Sequence, residues 1–275
     1  MKITLSKLVN IPYEEVFKSI EMYVKSKLDE SGLDTVVIGL SGGLDSSVLL
    51  GVLARFIPRD KIVALIMPDS RVTPVEDVDD AIGLARAYGI KYYVFNIDKI
   101  IDSYSVASFF ELEDNLATGN LRARVRMTLL YYYANKCRAL VAGSSDRSEI
   151  LIGYFTKHGD GSADLYPIAC LYKTQVRELG RKLGLPSKII MKPSAPRLWR
   201  NHIAEKELGI KYDEIDLALY ALFDLNLSLE DAVEVTGLSI NSIERVLNMH
   251  RKSRHKRIGI STPSLPWIDK PIREL

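Results

Sequence analysis

The sequence predicts an α/β protein: a doubly wound, mostly parallel sheet with helices on both faces, followed by a helical C-terminal part. Three observations lead there. Four short apolar runs lack the strict polar alternation of a sheet with one wet face. They alternate with longer stretches of helical periodicity, the order expected when helices cover both sides of parallel strands. Beyond Ser194 the strand-like runs stop, while helical periodicity continues.

The elements follow in order. Tyr13 to Glu30 is an amphipathic helix. Thr35 to Leu40 reads as a buried strand, and Ser47 to Phe56 as the helix after it. Lys61 to Met67 (KIVALIM) is a second strand, Pro74 to Gly89 a second helix, and Lys91 to Ile97 (KYYVFNI) a third strand, completing a βαβαβ unit. A long helix around Asn120 to Lys136, a strand at Ala139 to Gly143 (ALVAG) and a helix near Lys173 to Leu183 extend the pattern. Gly184 ends that helix and Pro186 confirms the stop. Tyr212 to Phe223, Leu229 to Thr236 and Asn241 to Arg251 then read as short helices, closing on the basic run HRKSRHKR. The expected organisation is one domain over 1–275. It has an α/β core over 12–195, a helical segment over 196–260 and an irregular tail over 261–275 that holds Pro263, Pro266 and Pro271.

Composition narrows the possibilities. With 47% hydrophobic and 26% charged residues, the 275-residue chain can bury an ordinary globular core. A net charge of +2 gives no global attraction to nucleic acid or to an anionic membrane, so neither is an expected partner. No run is long and apolar enough to span a bilayer, and Met1-Lys2-Ile3-Thr4 does not begin a secretory leader, so the expected compartment is the cytoplasm. Cys137 and Cys170 lack CxxC spacing and sit in mostly apolar sequence; they are expected to be reduced residues in or near the core.

The stretch VVIGLSGGLDSSVLLGVLARF, residues 36–56, carries the first chemical signal. It places Ser41, Gly42, Gly43, Leu44, Asp45, Ser46 and Ser47 between a strand and a helix, at the strand end where open parallel sheets bind ligands. The glycines let backbone amides face an anion, the helix adds unpaired N–H groups and a positive dipole end, and the hydroxyls add donors. The loop has neither the Walker A lysine nor the dinucleotide glycine spacing. An aspartate inside an anion cradle makes sense when a divalent cation joins it to phosphate, so Asp45 points to Mg2+.

SGGLDSS resembles the SGGxDS loop of the N-type ATP pyrophosphatases, which split ATP between its α and β phosphates. Within that group, TGNLRARVRM and GSSDRSEILIGYFTKHGDGSADLYPIACLYKTQV are similar to the substrate-binding segments of the ammonia-dependent NAD synthetase family. KPSAPRLW, ELGIKYDEID and HKR follow in the same order, and the resemblance runs from about Gly39 to Arg257. It implies an adenine nucleotide alpha-hydrolase-like fold, ATP as co-substrate, and adenylation of deamido-NAD followed by displacement of AMP by ammonia. It also implies roles. Ser41 to Ser47, Ser144, Lys173 and Ser194 would contact ATP, and Asp45 with Glu149 would bind Mg2+. Asn120, Arg124, Lys157, Asp164, His255 and Lys256 would contact deamido-NAD, with Asp160 a nearby helper, and Asp45, Lys173 and Lys157 would carry the chemistry. A reaction between two polyanions needs such cations. A homodimer is expected, in part because LLYYYA, Leu129 to Ala134, carries more aromatic surface than one core face needs.

Bland readings stand beside these. Glu149 could simply offset a helix dipole, and Lys157 and Lys173 could be solvated charges. The acidic set Glu76, Asp77, Asp79 and Asp80 reads as dipole stabilisation on a solvated face and is assigned no chemistry. Arg200 to Gly209 (RNHIAEKELG) replaces the family's usual G-Q-T-D-E segment and reads as a mobile polar connection. Two rival functions remain: an ATP pyrophosphatase that adenylates another acceptor, such as a tRNA base, or a nucleotide-sensing DNA-binding regulator using residues 227–257 as a helix-turn-helix.

Overall fold

The structure, a computed structural model, describes residues 2–259. The tail expected over 261–275 lies outside them.

Four strands, β1 (Thr35–Gly39), β2 (Ile62–Ile66), β3 (Lys91–Val94) and β4 (Ala139–Ala142), form one sheet in the order β3-β2-β1-β4. Every pairing is parallel: Val37 lies opposite Val63 and Val141, and Leu65 opposite Tyr93. Successive side chains of a strand point to opposite faces, and the sheet's two cores follow that alternation. Val36, Ile38, Ile62, Ala64 and Ile66 pack on one side against helices α2 (Tyr13–Ser31), α3 (Leu44–Leu53), α4 (Val75–Tyr88) and α8 (Lys173–Lys182). Val37, Val63, Leu65 and Val141 pack on the other against α5 (Asp98–Ser103) and α6 (Asn115–Cys137). β1, β2 and β4 are largely buried on both faces, as their apolar composition predicts. The edge strand β3 departs from that expectation and is mostly exposed, with Tyr93 39% and Val94 43% exposed.

Local chemistry explains the helix ends. Gly32 closes α2 and Gly89 closes α4, each in the left-handed region with φ 64° and φ 65°. Asp114 caps α6 by accepting from Ala117 N–H at 2.9 Å. The helix start expected at Glu149 is present as a short helix, α7 (Arg147–Ile152), which opens with a capping box. In it Asp146 accepts from Glu149 N–H at 2.8 Å, and Glu149 accepts from Asp146 N–H at 3.4 Å.

A third core joins the C-terminal helices to the rest. Tyr212, Ile215 and Leu219 of α11 (Tyr212–Leu219), Ala232 of α12 (Leu229–Thr236), and Ile243 and Val246 of α13 (Ile240–Lys252) bury themselves with Ile152, Tyr172 and Leu8, the last from α1 (Leu5–Val9). The α12–α13 pair has the outline of a helix-turn-helix, with Gly237 left-handed at its turn (φ 72°). Three of the basic residues in and just after it are engaged by backbone carbonyls, while Arg251, Lys252 and Arg254 are exposed. Arg245 donates to the carbonyls of Leu208 and Gly209, Lys256 to those of Gly153 and Phe155, and Arg257 to those of Ile150, Leu151 and His250.

Three expectations need correction. Cys137 and Cys170 are exposed, unpaired thiols and not core residues, because Cys137 is the last residue of α6 and Cys170 lies in the turn before α8. Asp77 and Asp80 are not part of a solvated face; they are buried beneath Lys192, Arg197 and Lys188, the last on α9 (Ser187–Ile190). The segment Arg200 to Gly209 is packed: Trp199 stacks on His202 with centroids 3.4 Å apart and planes 12° apart, and α10 (Ala204–Leu208) follows. His202, only 3% exposed, anchors it through Tyr154 at 3.0 Å and Glu207 at 2.7 Å.

Candidate active site

The strand order reverses between β1 and β4, and the chain leaves the C-terminal ends of both strands into a cavity of about 410 Å³. This is where an open parallel sheet leaves a crevice between diverging loops, and the volume suits a small-molecule site. The loop after β1 supplies Ser41, Gly43, Leu44, Asp45 and Ser46 to the wall, and the loop after β4 supplies Ser144. Asn120, Glu149, Asp160, Ser194 and Lys256 line other sides.

Gly42 has φ +75°, and a Cβ there would lie 2.0 Å from the Asp77 carbonyl oxygen. Only glycine fits that close approach. Gly43 caps α3 in extended conformation, so the helix begins at the cavity wall. Among the described residues, the N–H groups of Leu44, Asp45 and Ser46 have no acceptor in the protein, which leaves three donors of the first turn for an anion. The hydroxyls divide. Ser47 is buried and donates to Gly43 O at 2.7 Å, away from the cavity, while Ser41 and Ser46 face each other at 3.0 Å on its wall.

Directly behind the wall lies a charge cluster. Lys173, the first residue of α8, is wholly buried, and its ammonium sits 2.8 Å from a carboxylate oxygen of each of Asp45, Asp146 and Glu149. The Tyr212 ring covers it, with its centroid 5.1 Å away. Only the Glu149 contact has hydrogen-bond alignment; Asp45 Oδ1 and Asp146 Oδ2 are ion-paired but poorly aligned. Three carboxylates around one ammonium leave two negative charges in excess. Burial pushes the Glu149 carboxyl well up and that of Asp146 up, although Lys173 opposes both shifts. For Lys173, burial works against the charge, but the three acids outweigh it and hold the ammonium well above the ordinary lysine range.

The surrounding positions separate the predicted residues. Lys256 lines the cavity with its ammonium held by the Gly153 and Phe155 carbonyls at 2.8 Å each, and Asn120 accepts from Thr156 Oγ1 at 2.7 Å. Asp160 is exposed at the cavity and accepts from Thr156 N–H at 2.9 Å. Gly42, Ser47 and Lys173 lie behind the wall. Arg124, Lys157, Asp164 and His255 lie outside the cavity. Arg124 donates to the Lys157 carbonyl from Nε and Nη2, at 3.3 Å each, so α6 and the 157–164 loop are tied together. Asp164 accepts from Val141 N–H at 2.7 Å and from Tyr131 at 3.1 Å, which engages its carboxylate at the sheet edge.

The sequence reading missed Asp146, whose motif position suggests nothing beyond a helix cap. It also missed Asp216, which is wholly buried and joins α11 to α7 and α8 by accepting from Ser148 Oγ, Thr174 N–H and Thr174 Oγ1. Burial raises the Asp216 carboxyl to about 7, against the pull of the Ser148 and Thr174 donors. Its folded value therefore exceeds its unfolded one. Between about pH 4 and pH 7 the native state keeps a proton that the unfolded chain has lost, so stability falls as pH rises, by on the order of 4 kcal/mol across the window. Asp216→Asn can still accept from Thr174 while its amide faces Ser148, and is expected to flatten that slope in urea unfolding at about pH 5 and about pH 7.5. An equally steep slope in the variant would assign the titration to another group.

Comparison with known proteins agrees with this geometry. The family model described as NAD synthase matches residues 16–259. An NH(3)-dependent NAD(+) synthetase of Staphylothermus marinus is 55% identical over 275 residues, covering 100% of both chains. Among solved structures, an NMN synthetase from Francisella tularensis superposes with a TM-score of 0.80 at 31% identity, covering 93% of this chain and 100% of its own. An NH3-dependent NAD synthetase from Campylobacter jejuni gives 0.76 at 26% identity, covering 92% and 100%. With a phosphate-type loop at the switch point, a buried acid–lysine cluster behind it and this likeness over the whole length, the chain belongs to the NAD synthase family.

Proposed function

We propose that the chain is a ligase that converts deamido-NAD to NAD with ATP and ammonia, and that the cavity at the sheet's switch point is where ATP is opened. The observation that carries the assignment is the pair Asp45 and Glu149. Both line the cavity beside three free helix N–H groups, and both belong to a buried cluster with excess negative charge.

The donor set fits a magnesium ion. Asp45 and Glu149 each commit one oxygen to Lys173 and belong to the cavity wall, and the cluster's two uncompensated charges call for a cation. Among the described residues no group of three or more His, Cys, Asp or Glu forms a metal cage; Mg2+ suits such a place because phosphate oxygens and water complete its shell. When bound it would neutralise phosphate charge as a Lewis acid. The N–H groups of Leu44, Asp45 and Ser46, with the Ser41 and Ser46 hydroxyls, would grip the β and γ phosphates, and Ser144 and Ser194 would hold the rest of ATP. Lys173 would act from behind, fixing Asp45 and Glu149 in place.

The nicotinate carboxylate attacks the α-phosphorus, and pyrophosphate leaves. Ammonia then attacks the activated carbonyl carbon and AMP departs, leaving the amide. No enzyme nucleophile takes part; alignment of the two nucleotides can supply about 7–11 kcal/mol. Asn120 and Lys256 would place the nicotinate end at the cavity. Arg124, Lys157, Asp164 and His255, lying outside it, would serve the far part of the dinucleotide. Ammonia as nitrogen donor is supported by relatives named NH(3)-dependent that match over their full length.

The α6 face also supports a homodimer. Several large apolar side chains on and before α6 are exposed, Leu116 (65%), Tyr132 (69%), Val106 (91%) and Phe109 (87%), and a second copy would cover some of them. The unpaired exposed thiols suit a reducing compartment, which with the ATP requirement points to the cytoplasm. Core contacts from Leu8 to Val246 support a single domain.

The test is incubation with ATP, Mg2+, ammonium and deamido-NAD, with nicotinate mononucleotide as competitor. NAD, AMP and pyrophosphate in equal amounts are expected, with deamido-NAD preferred. Preference for the mononucleotide would move the chain towards the activity named for the Francisella neighbour, and no AMP with either acceptor would overturn the reading.

A further inference from the structure

The carboxylates that the sequence reading assigned no chemistry surround an unassigned lysine. Lys192 lines the cavity together with Pro193 and Ser194, and its side chain is 19% exposed. Its ammonium donates to the Gly42 carbonyl at 2.8 Å and to Asp77 Oδ1 at 2.7 Å, and lies 2.7 Å from Asp80 Oδ2. An ammonium has three hydrogens, and three acceptors are present, so Lys192 has none left for a ligand.

The Gly42 contact gives this geometry its chemical meaning. A trans peptide points its C=O and its N–H in opposite directions. With the Gly42 carbonyl held against Lys192, the Gly43 N–H turns the other way, to the Ser41 hydroxyl at 3.2 Å on the cavity wall. From the far side the loop rests on α4, where the Asp77 carbonyl leaves no room for a Cβ on Gly42. Arg197 ties the same aspartate at 3.0 Å, and Lys188 pairs with Asp80. The phosphate loop, the first turns of α4 and the strap 192–197 that carries Ser194 are thus joined through one ammonium.

We propose that Lys192 is a positioning residue for the ATP step. It pins the Gly42–Gly43 peptide so that the loop is preorganised for the leaving pyrophosphate, and it sets Ser194 in register with that loop. The idea rests on the reading that ATP occupies this cavity. Asp77 and Asp80 are its counter-charges: with the Gly42 carbonyl they occupy the ammonium, so that it holds the loop and does not bind the triphosphate.

The test measures Lys192→Met and Lys192→Arg in the full chain, well below their unfolding temperatures, with steady-state kinetics for each substrate. K192M is expected to raise KM for ATP by about 10-fold or more and to lower kcat, with KM for deamido-NAD within about twofold. K192R, which keeps the charge for Asp77 and Asp80, is expected to regain thermal stability and part of the ATP affinity. If K192M does not fold, Lys192→Gln reads the same split between the two KM values. A variant with lowered stability but an unchanged KM for ATP would make Lys192 a strut of the fold, and equal rises in both KM values would mean general loosening; either overturns the proposal. Wild-type protein that forms no NAD would instead refute the functional reading beneath it.

Discussion

Asp45→Asn is expected to lower AMP release from ATP and deamido-NAD by about 10²- to 10³-fold, a loss of roughly 3–4 kcal/mol of transition-state stabilisation. The substitution keeps the shape of the side chain in the first turn of α3 and removes its charge. In the resting protein that charge is one of three competing for Lys173. Removing it relieves repulsion, so the melting temperature should hold or rise. A group that destabilises the free protein but is needed for turnover is what a cation and phosphate site requires. Single-turnover AMP formation at saturating Mg2+, read beside a thermal melt, checks both parts. AMP release within about threefold of wild type would remove Asp45 from the ATP step.

The largest effect on stability is expected from Lys173→Met. The methionine fills much the same space, so the loss is electrostatic: Asp146 and Glu149 would face each other and Asp45 without a counter-ion. Breaking a buried ionic group by removing one partner costs about 3–5 kcal/mol, which for a chain of this size is about 10 °C in melting temperature. The pH dependence identifies the cause. Without Lys173 the folded carboxyls rise further above their unfolded values, so the penalty is full at high pH and fades as pH falls through the folded values. A melt showing the same deficit at about pH 5 and about pH 8.5 would point to lost packing instead.

Much of this was legible in the chain. Four strands and the helices between them follow from apolar runs whose two faces are both hydrophobic, and the loop from Ser41 to Ser47 advertises itself by glycines and hydroxyls at a strand end. What stayed hidden depends on where side chains finish after folding. The resemblance places Lys173 on ATP, and its residue type alone allows a solvated charge; only the meeting of α3, α7 and α8 puts it under three acids. Asp77 and Asp80 sit in the first turns of a helix, where acids normally need no other explanation; their burial depends on Lys192 and Arg197, far along the sequence. Short helices such as α7 and α10 escape periodicity because a few residues cannot establish a repeat. His202 lies in the segment that replaces the family's usual one and looked loose, and only its stacking on Trp199 reveals a packed turn.

The acid–lysine cluster draws on three stretches of chain: the start of α3, the box opening α7, and the head of α8. The acids of the first two segments have their counter-ion only in the lysine of the third, and that lysine is buried only against them, so none can shed water alone. Their dehydration is therefore a joint event, completed only when distant parts of the polypeptide close together. A chain with one of them undocked would have no partial site to fall back on.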